Sequence, residues 1–358
     1  MKTVIVGLSG GVDSSVSAAL LLEKGYNVIG VTMKIWNEKF SPANYKDACF
    51  SSHEKEDLET IRQTVELLNI PLHIVDLSEE YNKVIIDYFK SEYHNARTPN
   101  PCVICNKNIK FNALLSNIKK IGVSFDNFAT GHYAKIEYDE HIKRYLLKKA
   151  ADLSKDQTYF LSLLSQEQLS KIIFPLAGLT KKKVREIAGS LKLPASRKEE
   201  SQDFYSGDYT ELLDKTAVSN GLVKTEWGET LGEHKGIIYY TIGQRRGLGI
   251  SYKEPLYVTR IDKQNNIVYV GTEQYLLNDK LVVKNLNWIQ ISKLDYDLKV
   301  KCRIRYLHKE SEAVISPLND GEVNVKFDTP QKSIAPGQFA VFYDNDSVIG
   351  AGVIEKIL

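Results

Sequence analysis

Gly7-Leu8-Ser9-Gly10-Gly11-Val12-Asp13-Ser14-Ser15 closes a short apolar run, Thr3–Leu8, and opens a helical pattern from Ser14 to Lys24. This order of strand, glycine loop and helix decides the fold. Two adjacent glycines let the backbone come close to a ligand. The first amides of a helix have no intrahelical partner, and the helix dipole favours an anion at that end. Ser9, Ser14 and Ser15 add hydroxyls, and Asp13 can cap the helix or hold a magnesium ion on phosphates. The loop lacks the Gly-Lys-Ser/Thr ending of a Walker A loop and the glycine spacing of a dinucleotide fingerprint. The residues alone predict an anion site after the first strand.

Outward from the loop, Asn27–Met33 and Pro71–Val75 read as strands, and Leu58, Ile61, Val65 and Leu68 repeat at helical spacing between them. Tyr81–Tyr93 and Ile109–Ile121 read as helices, and Phe125–Thr130 as a strand ending at Gly131. Strands alternating with helices predict an α/β fold whose parallel sheet is covered on both faces. A glycine loop after the first strand is where such sheets hold phosphate. Residues 151–193 read as helical, with Val184, Ile187, Ala188 and Leu191 on one stripe and Lys181–Lys183 as a solvated charge run. Pro194–Gly207 reads as an ordered loop or linker, and 208–271 as a short helix followed by glycine-rich strands. Val282–Val283, Lys299–Arg305, Ala313–Ile315, Glu322–Phe327, Phe339–Tyr343 and Val348–Ile354 then predict a small β-barrel, with Arg303 and Arg305 on one strand face that could meet phosphates.

A chain of 358 residues suggests two or three domains. Hydrophobic residues at 43% and charged residues at 26% suit a globular protein. A net charge of only +2 excludes a polycation, so a nucleic-acid surface has to be a local patch. There is no signal-peptide pattern and no apolar run of the ~20 residues a membrane span needs. Four cysteines make no disulfide scaffold at this length. The expectation is a cytoplasmic protein with reduced thiols and no membrane partner.

Ser9-Gly10-Gly11-Val12-Asp13-Ser14-Ser15 resembles the pyrophosphate (PP) loop of the ATP pyrophosphatases, which split ATP into AMP and pyrophosphate and adenylate a carbonyl oxygen. Met33-Lys34-Ile35-Trp36, Arg97-Thr98-Pro99-Asn100-Pro101-Cys102-Val103-Ile104-Cys105-Asn106-Lys107 and Ala129-Thr130-Gly131-His132-Tyr133 follow in order. Ser154–Leu161, Thr241–Gly249 and Pro336-Gly337-Gln338 complete the set. From residue 3 to about 355 the set resembles the bacterial tRNA 2-thiouridylases. The resemblance implies an adenine nucleotide alpha hydrolase-like PP-loop ATPase domain with a helical extension (1–207), a small central tRNA-binding domain (208–276) and a C-terminal β-barrel (277–358). It implies ATP held by Gly7, Leu8, Ser9, Gly10, Gly11, Val12, Asp13 and Ser14, with Met33 and Gly131 bordering adenine and ribose. Asn100, Pro101 and Cys102 would sit beside the target base, and His132, Lys155, Asp156, Gln157, Arg305, Tyr306 and Gln338 would touch tRNA. The implied reaction adenylates the C2 oxygen of the wobble uridine with Mg-ATP and replaces it with sulfur from a donor protein or sulfide. A monomer is expected.

Taken singly, several of these residues have plainer readings. His132 reads as a hydrogen-bonded histidine at a strand end, Lys155–Gln157 as a helix start, and Arg245-Arg246 as solvated charge or a phosphate contact. Cys49 and Cys302 read as ordinary residues.

Cys102 and Cys105 form a C-x-x-C before a helix, and near a helix N-terminus a thiol pKa falls. Lys107 and Arg97 would push the same way. The family normally carries Asp where Cys102 stands, its nucleophilic Cys at Cys105, and a second Cys in a later loop. Here that loop reads Glu199–Gly207, and the aligned position holds Asp203. One carboxylate and two thiols are thus kept with two positions exchanged, which makes sense if all three face one point. Three chemistries fit. Cys102 and Cys105 could carry and resolve a persulfide. Cys102, Cys105 and Asp203 could ligate an iron–sulfur cluster of [4Fe-4S] type, a route some tRNA thiolases of the superfamily use. Or the sulfur route is absent or changed, leaving a tRNA-binding protein. A small-molecule amide ligase built on the same loop, and thiolation of another RNA position by a paralogue, are the rival readings.

Overall fold

The computed structural model describes residues 1–36, 54–198, 204–205, 208–214 and 218–358. The chain packs as two compact units, one of residues 1–84, 102–208 and 346–348 and the other of 85–101, 209–345 and 349–358.

The first unit is built on a five-stranded parallel sheet. Its strands are β1 (Thr3–Gly7), β2 (Asn27–Lys34), β3 (Leu72–Asp76), β4 (Asn127–Ala129) and, further along, β7 (Ile172–Ile173), in the order β3-β2-β1-β4-β7. Val4, Ile5 and Val6 are all fully buried, the continuous apolar run expected of a parallel strand covered on both faces. Helix α1 (Val12–Glu23) is buried nearly all round rather than on one stripe. Its small residues make that possible. Ser15 and Ser17 return their hydroxyls to Gly11 O and Asp13 O at 3.0 and 2.8 Å, so no polar hydrogen is stranded. Helix α2 (Glu54–Leu68) sets Ile61 and Val65 into the core formed by Val4, Val6, Leu8, Ala18 and Val28.

Helix α3 (Ser78–Tyr81) runs through a π-helical stretch, Asn82–Ile86, into α4 (Asp87–His94). The next helical segment starts at Pro101, earlier than the periodicity predicts. It comprises α5 (Pro101–Cys105), a π-helical stretch Asn106–Ala113 and α6 (Leu114–Lys120). Proline suits the first position of a helix, where its missing N–H has no partner to lose.

Two readings of the sequence need correction. Residues 134–149 form an antiparallel hairpin, β5 (Ala134–Asp139) and β6 (Arg144–Lys149), where no strand is expected. Residues 151–193 are not one helical tract. They hold a 3-10 turn at Leu153–Lys155, α7 (Thr158–Leu161), α8 (Gln166–Leu169), β7 and α9 (Lys181–Ser190). Asp152 and Thr180 cap the first and last of these, and Ser165 with Gln168 makes a capping box for α8.

The second unit holds two sheets. A four-stranded sheet runs β10-β11-β8-β9, from β8 (Gly221–Thr225), β9 (Thr230–His234), β10 (Tyr257–Asp262) and β11 (Ile267–Gly271). The expected short helix before it is a single 3-10 turn, Tyr209–Glu211. Strands β12 (Leu277–Trp288), β13 (Leu298–Arg303), β14 (Ser311–Pro317), β15 (Val323–Lys332), β16 (Phe339–Asp344) and β17 (Ser347–Ile357) close into a six-stranded antiparallel barrel through the β12–β17 pairing. The interior alternates as the pleat demands, with Val300, Cys302, Ala313, Ile315, Val325 and Phe327 buried together. The fold is mixed α/β: a parallel-sheet domain, a small central sheet and a C-terminal barrel. Among the described residues no helix is long and apolar enough to cross a membrane.

Candidate functional site

Strand order places the phosphate loop. β1 has β2 on one side and β4 on the other, so the chain leaves the sheet in opposite directions at the carboxyl ends of β1 and β4. Ligands of open α/β sheets bind at such a switch point. Gly11 is the N-cap of α1, extended at φ −91° and ψ 165°, and offers no side-chain cap to the first-turn amides. Gly10 stands at φ +74°, and a Cβ there would lie 3.0 Å from Asp57 O of α2. Gly131, just beyond β4, is packed tighter still. A Cβ there would lie 2.7 Å from both Asp13 C and Ser14 N. Only glycine lets the end of β4 touch the backbone of the loop. Met33, near the carboxyl end of β2, is half-buried on the same edge of the sheet.

The loop's hydroxyls divide their work. Ser14 and Ser15 are buried, and both direct their hydroxyls to Gly11 O, at 3.1 and 3.0 Å. Ser14 Oγ also accepts the Ser9 amide at 3.2 Å. They fix the shape of the loop rather than offering free donors, which corrects the reading of three open hydroxyls. Ser9 is the exposed one.

Asp13 has partners the sequence did not announce. Lys181 Nζ, 168 residues away in the chain, lies 2.8 Å from each carboxylate oxygen. The Tyr133 hydroxyl donates to Oδ1 at 2.9 Å. The reading of Lys181–Lys183 as solvated charge therefore holds for Lys182 and Lys183, which are exposed, and fails for Lys181, which is buried. Being first in α9, Lys181 faces the helix packed beside it, while its two successors turn outward.

Cys102 lies in the first turn of the helical segment that starts at Pro101, and Cys105 follows about one turn later. Cys102 is half-buried, Cys105 is 8% exposed, and neither is in a disulfide. Asn106, next in sequence, donates to Phe160 O at 3.0 Å, while its buried Oδ1 has no hydrogen-bond partner among the described residues. Arg97 is fully engaged elsewhere. Its Nε meets Glu92 at 2.8 Å and its Nη1 meets Glu355 at 3.0 Å. Burial works against its charge, but the two carboxylates outweigh that and raise its pKa. It is not a spare cation for the thiols. Asp203 and Cys49 lie outside the described residues, and among those described no group of three or more His, Cys, Asp or Glu side chains could hold a metal ion.

Residues 2–205 match the tRNA methyl transferase HUP domain family, 211–272 the tRNA methyl transferase PRC-barrel domain, and 278–354 the aminomethyltransferase beta-barrel domain. Over 360 residues the chain is 48% identical to the tRNA-specific 2-thiouridylase MnmA 2 of Caldanaerobacter subterraneus subsp. tengcongensis, covering 99% of this chain and 98% of that one. It belongs to the tRNA-specific 2-thiouridylase family. The relative from Endomicrobium trichonymphae is 46% identical, with 98% of each chain covered. A solved 4-thiouridine synthetase–RNA complex with bound ATP is a distant likeness, at TM-score 0.38 and 17% identity over 59% of this chain and 45% of that one.

The thiouridylase resemblance names further residues, and the structure gives each a place. His132 packs against the rings of Phe111 and Phe174, at 5.9 and 6.1 Å, and its Nδ1 shares a 2.8 Å hydrogen bond with Thr130 Oγ1. Burial, with Lys110 adding to it, pushes its pKa down to about 3, so the ring is neutral at physiological pH. Lys155 and Gln157 are half-buried, whereas Asp156 is buried with its carboxylate on Thr158 N and Oγ1, at 3.2 and 2.9 Å. Asp156 thus shapes the start of α7. Gln157 clamps Tyr133: its N–H donates to Tyr133 O at 3.0 Å and its Oε1 accepts from Tyr133 N at 2.9 Å.

In the second unit Gln338 is buried and holds the segment that leads to Pro101. It donates to Thr98 O and Pro99 O at 3.2 and 2.8 Å and accepts from Asn100 Nδ2 at 3.4 Å. The strand expected over Lys299–Arg305 ends at Arg303, because Ile304–His308 turn away. Arg303 and Arg305 therefore do not present one phosphate-facing row. Arg303 pairs with Glu310 at 2.9 Å, and Arg305 donates to Ile242 O at 3.0 Å beside the Thr241–Gly249 motif. Tyr306 is half-buried, and Arg245 and Arg246 are exposed. Cys302 is buried in the barrel core, where burial raises its thiol pKa, as an ordinary core residue should behave.

Proposed function

We propose that the chain is an ATP-dependent tRNA uridine 2-sulfurtransferase acting on the wobble uridine. The observation that carries this reading is the uncapped, glycine-lined start of α1 at the β1/β4 switch point, in a chain 48% identical to a tRNA-specific 2-thiouridylase. The triphosphate lies on the first-turn amides of α1, with adenine and ribose toward Met33 and Gly131. The target uridine is flipped out, since a stacked base hides its carbonyl. Its C2 oxygen attacks the α-phosphorus, pyrophosphate leaves, and the oxygen becomes part of an adenylate. A sulfur nucleophile then attacks C2, and AMP departs with the former oxygen.

Cys102 and Cys105, one helical turn apart, support a persulfide route. A persulfide on Cys105 gives its outer sulfur to C2. Cys102 attacks the remaining sulfur of the Cys105 linkage, releasing the thiolated base and leaving a Cys102–Cys105 disulfide for external thiols to reduce. The outer sulfur comes from a donor protein's persulfide, whose own thiol is the leaving group, or from sulfide that opens the Cys102–Cys105 disulfide to give a Cys105 persulfide and a free Cys102 thiol. An iron–sulfur cluster would take both thiolates, and the third expected ligand, Asp203, lies outside the described residues. Asp13 suits a hydrated magnesium ion, since a carboxylate oxygen keeps a second lone pair beside the Lys181 contact. Such an ion would offset phosphate charge. His132, Lys155, Gln157, Arg305, Tyr306 and Gln338 are assigned to the tRNA side, with domains at 1–207, 208–276 and 277–358 and a monomeric cytoplasmic enzyme.

The test is nucleoside mass spectrometry of tRNA incubated with the anaerobically purified protein, ATP and a small-molecule persulfide as sulfane-sulfur donor, with iron assayed in parallel. The expected products are 2-thiouridine, AMP and pyrophosphate. Cys105→Ala should abolish 2-thiouridine and retain ATP binding. Release of ADP instead of AMP, or full thiolation by Cys105→Ala, would refute the assignment.

A further inference from the structure

The phosphate loop has an electrostatic defect that its own residues do not repair. From Gly7 to Ser15 its one charged side chain is Asp13, an anion in the first turn of the helix that is to receive a polyanion. A Walker A loop carries its lysine in line; this loop has none. The structure brings one from α9. Lys181 Nζ lies 2.8 Å from each oxygen of Asp13, its side chain is 10% exposed, and the Tyr133 ring faces it with its centroid 5.9 Å from Nζ.

The lysine is anchored at both ends. Its backbone N–H donates to Asp152 Oδ2 at 2.9 Å, and Thr180 caps the helix it starts by accepting Lys183 N at 3.3 Å. Asp152 is itself fixed by the Ser154 amide and hydroxyl, at 3.2 and 2.6 Å. A buried ammonium needs a partner, and a half-buried carboxylate such as Asp13 beside incoming phosphates repels them unless neutralised. One contact meets both needs.

We propose that Lys181 is a positioning residue for the reaction. It cancels the Asp13 charge and holds the carboxylate away from the first-turn amides, so that the phosphates of a nucleoside triphosphate can lie there. The inference rests on the reading that this loop binds ATP. It assigns the loop's cation to a helix that the loop sequence does not contain. Lys182 and Lys183 in the same turn are exposed and have no part in it.

The experiment measures ATP binding by isothermal titration on the full chain without magnesium, because Asp13 is also assigned to the ion, and kcat and KM for tRNA-stimulated pyrophosphate release with magnesium. Lys181→Met should weaken ATP binding at least tenfold and raise the ATP KM more than it lowers kcat. Lys181→Arg should restore most of the affinity, and Lys182→Met should stay within twofold of the parent. The decisive variant pairs Lys181→Met with Asp13→Asn. With both charges gone the repulsion is gone, so the pair should bind ATP at least threefold better than Lys181→Met alone. A merely structural lysine would show no such recovery. If Lys181→Met is poorly folded, the neutral pair and Lys181→Arg still carry the comparison. Parent-like ATP affinity in Lys181→Met, or no recovery in the pair, overturns the proposal. Failure of the parent protein to bind ATP would instead sink the reading beneath it.

Discussion

At the scale of single residues, charge states decide what each side chain can do. His132 is the clearest case. Its pKa is about 3 in the fold against 6.5 for an ordinary histidine. Between those values the unfolded chain binds the extra proton and the folded chain does not. Stability therefore rises with pH across that window and is lost as pH falls through it. His132→Gln should flatten the dependence of unfolding free energy on pH between 6.5 and 4.5, by up to about 1.4 kcal/mol per pH unit. Denaturant titrations at several pH values read this directly, and parallel curves for the two proteins would disprove it. A neutral ring limits the RNA contact proposed for His132 to stacking or hydrogen bonding rather than charge. The motif put His132 at the end of a strand; the strand ends at Ala129, and His132 lies in the connection from β4 to β5. Its charge state was not legible, because Phe111 and Phe174 come from distant parts of the chain. The same holds for Lys181. A run of three lysines gives no sign of which one turns inward, since that depends on the packing of α9 beside α1.

At the scale of elements, two glycines mark where backbones touch, and they should separate two steps of the reaction. A methyl group on Gly131 would sit 2.7 Å from the backbone of Asp13 and Ser14. Gly131→Ala should therefore push the phosphate loop out of shape, cost about 1–3 kcal/mol of stability and weaken ATP binding. Gly337 stands at φ +92°, and a Cβ there would lie 2.8 Å from Thr98 O. Gly337→Ala should disturb the Thr98–Asn100 segment that leads to the thiols. Thiolation should then slow while ATP affinity changes less than threefold. Equal losses of ATP binding in both variants would contradict this division. The periodicity found the parallel sheet and the barrel because apolar runs and alternation are strong signals there. It missed the β5–β6 hairpin because those strands are largely polar and only Ala134, Leu146 and Leu147 are buried. A weaker signal was present. Asp139 heads the turn and accepts the amides of His141 and Ile142 at 2.9 and 3.2 Å, a local Asp bond that marks turns.

At the scale of the whole molecule, the question is whether nucleotide and RNA are bound independently. The ordered motifs made the family legible, but neither the strand order that creates the switch point nor a physical link between the two proposed ligand sites was legible in the sequence. Tyr133 supplies that link. Its hydroxyl holds Asp13 of the phosphate loop, and its backbone N–H and C=O are both clamped by Gln157 in the turn assigned to RNA. Asp13 is also joined to that turn through Lys181 and Asp152. A ligand that reorients Asp13 must re-partner a residue bonded to the turn, and linkage makes the effect reciprocal. A non-hydrolysable ATP analogue should raise tRNA affinity, and tRNA should raise affinity for the analogue by the same factor, within the range of about 5–150-fold usual for coupled sites. Gln157→Ala removes the side-chain half of the clamp and should shrink that factor. Measuring tRNA dissociation constants with and without the analogue decides the matter. An identical factor in the parent and in Gln157→Ala would mean that the clamp transmits nothing, whatever Gln157 contributes to RNA binding by itself.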